Sequence, residues 1–163
     1  MRIDPAAAAT VAAILRSDIE VIRKLNGQLE EMEPDPGKPG TSFRDLAAAA
    51  YVLHNLYNAM ENSFEHISRA FENHVKDRSQ RQKELLMKMF LEIPDIRPAI
   101  LPSAHRKLVN ELRGFRHVFR HSYDFEIDQR RRFQLVAVWT EGKQDVIAAR
   151  NRFQTLLLEA DAP

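Results

Sequence analysis

One run of the chain concentrates the side chains able to do chemistry: Arg113-Gly114-Phe115-Arg116-His117-Val118-Phe119-Arg120-His121-Ser122-Tyr123. A histidine titrates near neutral pH and can move protons. An arginine fork can hold a phosphate and stabilise charge in a transition state. In RNA the 2′-hydroxyl is an internal nucleophile, so this set suits phosphodiester cleavage without a metal. Glu111 is the only carboxylate between Ser103 and Tyr123, so the segment does not balance its own charge. The competing account is a solvated basic face near a helix C-terminus, where the helix dipole favours cations.

A helix must position these groups. At ~100° per residue and with Leu108 at zero, Leu112, Phe115, Phe119 and Ser122 fall within roughly 40° of one another's stripe. Tyr123 lies at about 60°, Arg116 at about 80°, Arg120 at about 120°, Arg113 at about 140°, His117 at about 180° and His121 at about 220°. The reading is a core edge, a tyrosine at its boundary and a continuous cationic arc. Arg116 and His121 stand about 140° apart on an ideal helix. They converge on one ligand if the helix end distorts, if Arg116 reaches around, or if a second chain contributes.

The rest of the chain reads as helices. Asp4-Pro5 is a helix start, an Asp N-cap before Pro at the first position. Val11, Ile14, Leu15, Ile22, Leu25, Leu29 and Met32 then recur at helical spacing, predicting a helix over 5–32. Three prolines and two glycines in 33–40 predict an irregular surface loop. Ser42 and Asp45 resemble a capping box. Leu46, Ala50, Leu53, Tyr57, Met60, Phe64, Ile67 and Phe71 alternate steps of four and three, predicting a long helix over 43–76. His54, Glu61, Glu65, His66 and His74 lie off or at the edge of that stripe and read as solvated. His66 and His74 are eight residues apart, and no metal site is expected from them.

Asp77 or Ser79 caps a third, shorter helix over 80–91, with Leu85, Leu86, Met89 and Phe90 inward. Three prolines in Ile93–Pro102 exclude regular helix there, although the isoleucines are expected to pack on the bundle. Ser103 caps a helix over 104–122. After a short connection, Asp124 to Asp128, Asp128 caps the last helix, whose stripe is Leu135, Trp139, Gly142, Val146, Ala149, Phe153 and Leu156. Gly142 either lets a neighbouring helix come close or merely weakens its own. The expected fold is all-α: one domain over 1–163, an antiparallel bundle of four long helices plus one short helix. Sustained four/three stripes also suit pairing between chains, so a homodimer is expected.

Bulk properties set limits. The 163 residues carry a net charge of +1, with 44% hydrophobic and 29% charged residues, so any nucleic-acid case rests on local clustering. There is no cysteine, which excludes disulfides and thiolate metal sites and fits a reducing compartment. No apolar run approaches the ~20 residues of a membrane span. Ala6 to Ala13 is too short and weakly apolar for a signal-peptide core, and the reading is a cytoplasmic protein.

Arg116-His117-Val118-Phe119-Arg120-His121-Ser122-Tyr123 resembles the HEPN superfamily motif, an arginine and a histidine separated by four to six residues. More narrowly it resembles the HepT-like toxins, in which a tyrosine follows two residues after the histidine. The resemblance implies an all-α bundle that dimerises with its motif helices facing across a cleft. It implies a metal-independent endoribonuclease without cofactor, in which Arg116 binds the scissile phosphate and His121 acts as general base or acid. Arg113, His117 and Arg120 would form a phosphate-binding rim for RNA. A composite site across two chains would also relieve the separation of Arg116 and His121. It further implies a toxin partnered by an MNT-type nucleotidyltransferase antitoxin that transfers AMP to Tyr123, blocking RNA with a bulky anion. His117 departs from the pattern, which often has asparagine there, and leaves open which histidine transfers the proton; the motif register favours His121. The alternative function is a non-catalytic HEPN module that binds nucleotide or RNA or serves as a nucleotidyltransferase's partner. A third is a structural helical dimer with a solvated basic face.

Overall fold

The computed structural model describes residues 1, 3–32, 42–72, 81–121 and 129–160, and for Arg81, His121 and Gln129 it describes the backbone alone. The loop at 33–40, the caps assigned to Asp77 or Ser79 and to Asp128, the Asp124–Asp128 connection, His74, Ser122 and Tyr123 lie outside the described residues. Within them there are five α-helices and no strand: α1 (Pro5–Glu31), α2 (Phe43–Glu72), α3 (Arg81–Met89), α4 (Arg106–His121) and α5 (Gln129–Glu159).

The local signals explain where helices begin. Pro5 occupies the first turn of α1 and the Asp4 carboxylate accepts the Ala7 N–H at 3.0 Å, satisfying one donor that the helix cannot. At α2 the Ser42 hydroxyl accepts the Asp45 N–H at 3.2 Å and donates to the Asp45 carboxylate at 2.7 Å. The shorter Asp side chain thus meets the serine hydroxyl instead of reaching back to the backbone, as Glu does in a full capping box. Ser103 does not cap α4. A 3₁₀ turn over Ser103–His105 follows Pro102, which makes no side-chain cap, so Ser103 lies inside the turn and not ahead of it.

Polar contacts fix the helix directions. Asn62 on α2 donates to both Asp18 oxygens on α1 at 3.2 Å. Gln154 reaches the Ala12 carbonyl and the Trp139 indole reaches Asn26, so α5 runs antiparallel to α1. Asn58 meets Arg116 and His54 meets Phe119, so α4 runs antiparallel to α2. α2 touches α1, α3, α4 and α5, and it is the central element. Three consecutive residues of it face three helices: Glu61 binds Arg116 on α4, Asn62 binds Asp18 on α1, and Ser63 accepts from Arg150 on α5.

The stripes are largely buried, but Ile14 of α1 and Leu46 of α2 are only half-buried. On α5 the stripe ends on Leu157, fully buried, whereas Leu156 is 42% exposed, because four residues from Phe153 keep the face better than three. Arg150 is fully buried on the same helix, and burial pulls its guanidinium down to about 10 while Asp18 acts in the opposite direction. Gly142 allows close approach: a Cβ there would stand 2.6 Å from Cδ2 of Leu108 on α4.

The proline-rich segment is held by an arginine as well as by its isoleucines. Ile100 is buried and Ile93 and Ile96 are half-buried. Arg97, 2% exposed, pairs with Glu72 of α2 and donates to the carbonyls of Lys88, Leu91 and Pro98. The guanidinium thus ties the end of α3 to the proline-rich segment through one carbonyl within the helix, one just after it and one beside Arg97 itself. Asp95, at φ 62°, turns the chain back so that Ile93 and Arg97 bridge.

Candidate functional site

α4 carries the cationic run, and its packing divides the run in two. Leu108, Val109, Leu112, Phe115 and Arg116 are all buried. The continuous cationic arc read from the sequence therefore loses Arg116, its member nearest the core, because α2 covers that side chain. His117 and Arg120 are exposed and Arg113 is half-buried. The buried Nε of Arg113 meets no hydrogen-bond partner among the described residues. His121 closes the last described turn of α4, its side chain outside the described residues, as is all of Tyr123.

Arg116 is held from three sides by one stretch of α2. Its Nε donates to Asn58 Oδ1 at 2.7 Å, and its Nη2 lies 2.7 Å from Glu61 Oε2. The guanidinium carbon stands 5.7 Å from the centre of the Tyr57 ring, within range of cation–π attraction. The Tyr57 phenol is pushed above its usual range by burial, with Glu61 adding to the rise.

Glu61 is buried, and burial raises its carboxyl above the ordinary value even though Arg116 acts to lower it. Among the described residues only Oε2 is bonded, and the buried Oε1 meets no partner. An ion pair bonded through one oxygen does not make up for the water lost by both.

His54 completes the set. Its ring lies against Phe119, centroids 5.1 Å apart, and its Nε2 is 2.9 Å from the Asn58 amide nitrogen. Burial lowers its pKa, and the charges of Arg116 and Arg120 lower it further.

His54 and Glu61 were expected to be solvated, and the structure corrects this: both face α4. Asn58 carried no signal of its own. The three recur at steps of four and three, 54, 58 and 61, a polar stripe beside the apolar one. That spacing was legible; its partner, an arginine at the edge of another helix's core stripe, was not. Among the described residues no three His, Asp or Glu side chains gather as a metal site requires.

At the α2–α4 seam the guanidinium of Arg116, 7% exposed, is held by Asn58, Glu61 and the Tyr57 ring, and His117 and Arg120 on the same helix are exposed. Such a fork, already fixed by neighbours, can meet an anion without first losing its own freedom. No curated protein and no solved structure matches the chain. A family model described as HepT-like protein matches residues 48–157, from within α2 nearly to the end of α5 and across the whole cationic run. With an all-helical fold and an arginine-histidine motif on its fourth helix, the chain belongs to the HepT-like family of the HEPN superfamily.

Proposed function

We propose that this HepT-like protein is a metal-independent endoribonuclease, the toxin of a toxin–antitoxin pair, acting as a homodimer. The observation that carries the reading is Arg116, fixed at the α2–α4 seam by Asn58 and Glu61 within the matched region. In the proposed step a 2′-hydroxyl attacks the adjacent phosphorus while a histidine removes its proton. The 5′-oxygen leaves with a proton from a second acid, giving a 2′,3′-cyclic phosphate and a 5′-hydroxyl end. Arg116 stabilises the charge on the non-bridging oxygens. His121 is the proton carrier, with its counterpart from a second chain supplying the other transfer. Arg113, His117 and Arg120 draw the RNA backbone in, and AMP on Tyr123, placed by a nucleotidyltransferase antitoxin, would oppose it by charge and bulk.

One observation favours a second reading. Glu61 already occupies Nη2 of Arg116, as suits a module that binds a nucleotide or RNA, or partners a nucleotidyltransferase, without cleaving. A cleavage assay in chelator separates the two. Wild type cuts RNA to cyclic-phosphate ends, and Arg116→Ala and His121→Ala variants that fold do not. Equal cleavage by both variants overturns the site, and binding without cleavage supports the second reading. Sedimentation reads the dimer, and intact mass after co-expression with a nucleotidyltransferase encoded in the neighbouring reading frame reads the adenylyl group.

A further inference from the structure

Asn58 is constrained from both sides. The atom 2.7 Å from it in Arg116 is Nε, an N–H that can only donate. The amide oxygen must therefore face Arg116, which leaves the NH₂ facing His54 Nε2 at 2.9 Å. Nε2 then has to accept, so the His54 ring is neutral and carries its proton on Nδ1. Nδ1 is buried and meets no partner among the described residues. The charged groups acting on the ring are Arg116 and Arg120, both from α4. Glu61, on the same helix as His54, is engaged by Arg116. Among the described residues α1 and α5 bring no charge that acts on the ring.

We propose that His54 is a positioning residue for Arg116: as a neutral acceptor it orients Asn58, and Asn58 in turn orients the guanidinium. A protonated His54 presents two donors. Asn58 can then keep its oxygen on Arg116 and lose His54, or turn its oxygen to His54 and set its NH₂ against the Arg116 N–H. In either arrangement one of the two bonds is gone, and in the second Arg116 keeps Glu61 and the Tyr57 ring but loses Asn58. Because Arg116 binds phosphate in the function proposed above, on which this inference rests, acid should disarm the site through His54 as well as through the motif histidines.

The test is a ¹⁵N NMR titration of the full chain between about pH 5 and 8, the window where histidines change charge. Arg116 Nε–H and the His54 ring nitrogens are followed together. The expected result is an unprotonated Nε2 at the alkaline end and an Arg116 Nε resonance that moves with the His54 midpoint. His54→Gln offers Asn58 an acceptor that does not titrate, and should hold the Arg116 resonance at its alkaline position throughout. Asn58→Leu should leave His54 titrating while the Arg116 response shrinks to the direct effect of the ring's charge. A protonated Nε2 at the alkaline end, or an Arg116 resonance indifferent to His54 in wild type, overturns the proposal. RNA cleavage is read in parallel. Where His54 and a catalytic histidine titrate together, the acid limb falls about a hundredfold per pH unit, and His54→Gln returns it to about tenfold. If wild type cuts no RNA, the ribonuclease reading falls while the NMR linkage stands or falls by itself.

Discussion

Arg116→Ala removes the ion-pair partner of the buried Glu61 carboxylate, and the cost should depend on pH. Arg116 and Glu61 are both 7% exposed and their charged atoms lie 2.7 Å apart. Removing one member of a buried pair costs about 3–5 kcal/mol, because the other charge is left without compensation. Asn58 is only half-buried, so water can satisfy its released oxygen. Glu61 has a way out: it can take a proton. Its carboxyl is raised above the ordinary value by burial even with Arg116 present, and it rises further once that cation is gone. A carboxyl whose folded pKa exceeds the unfolded one favours folding below the unfolded value and loses that contribution as pH rises through the folded one. The penalty should therefore be full near pH 8 and shrink toward the ~1 kcal/mol of a lost hydrogen bond near pH 5. Urea unfolding followed by fluorescence of Trp139, the single tryptophan and fully buried, measures it. Adding Glu61→Gln to Arg116→Ala should recover stability at alkaline pH and flatten the dependence. A cost below about 1 kcal/mol near pH 8, or one that acid does not reduce, refutes the reasoning. The double variant is also the proper background for the cleavage test, since its loss of activity is not a loss of fold.

Arg97→Ala leaves Glu72 paired with Lys88 but strips donors from the carbonyls it binds, and should destabilise the fold by about 1–3 kcal/mol and open the segment from Phe90 to Pro102 to protease, read by limited proteolysis. Leu157→Ala should cost about 2–5 kcal/mol, and Leu156→Ala under about 0.5 kcal/mol, compared by urea midpoint. Gly114→Ala should stabilise by about 0.5–1 kcal/mol, since its Cβ would meet nothing within 4 Å. Gly142→Ala should forfeit that gain against Leu108 and His105, so thermal unfolding should rank Gly114→Ala, wild type and Gly142→Ala in falling order.

The apolar skeleton was open to reading because periodicity reports burial directly. The α2 stripe from Ala50 to Ile67 is buried, and Asp4-Pro5 and Ser42 mark helix starts because capping is local chemistry. Inward polar residues were not open to reading. Arg150, Arg97 and Glu61 look like surface residues until the partner that compensates their burial is known, and each partner lies on another element. Arg116 shows the same limit within the site. Its angle of about 80° from the core stripe is compatible with solvent or with a neighbour, and only the approach of α2 decides for burial.

The triplet Glu61-Asn62-Ser63 has a consequence for how this chain can change over evolution. Apolar stripes tolerate slippage, since one aliphatic side chain fills another's place with modest loss. A triplet in which each residue answers to a different helix does not. Deleting one residue upstream in α2 rotates everything after it by about 100°, turning all three groups toward the wrong neighbours at once. Insertions and deletions should therefore be purged from the body of α2 and collect outside it. Aligned relatives should keep an unbroken spacing from Ala50 to Ile67 even where the residues themselves differ.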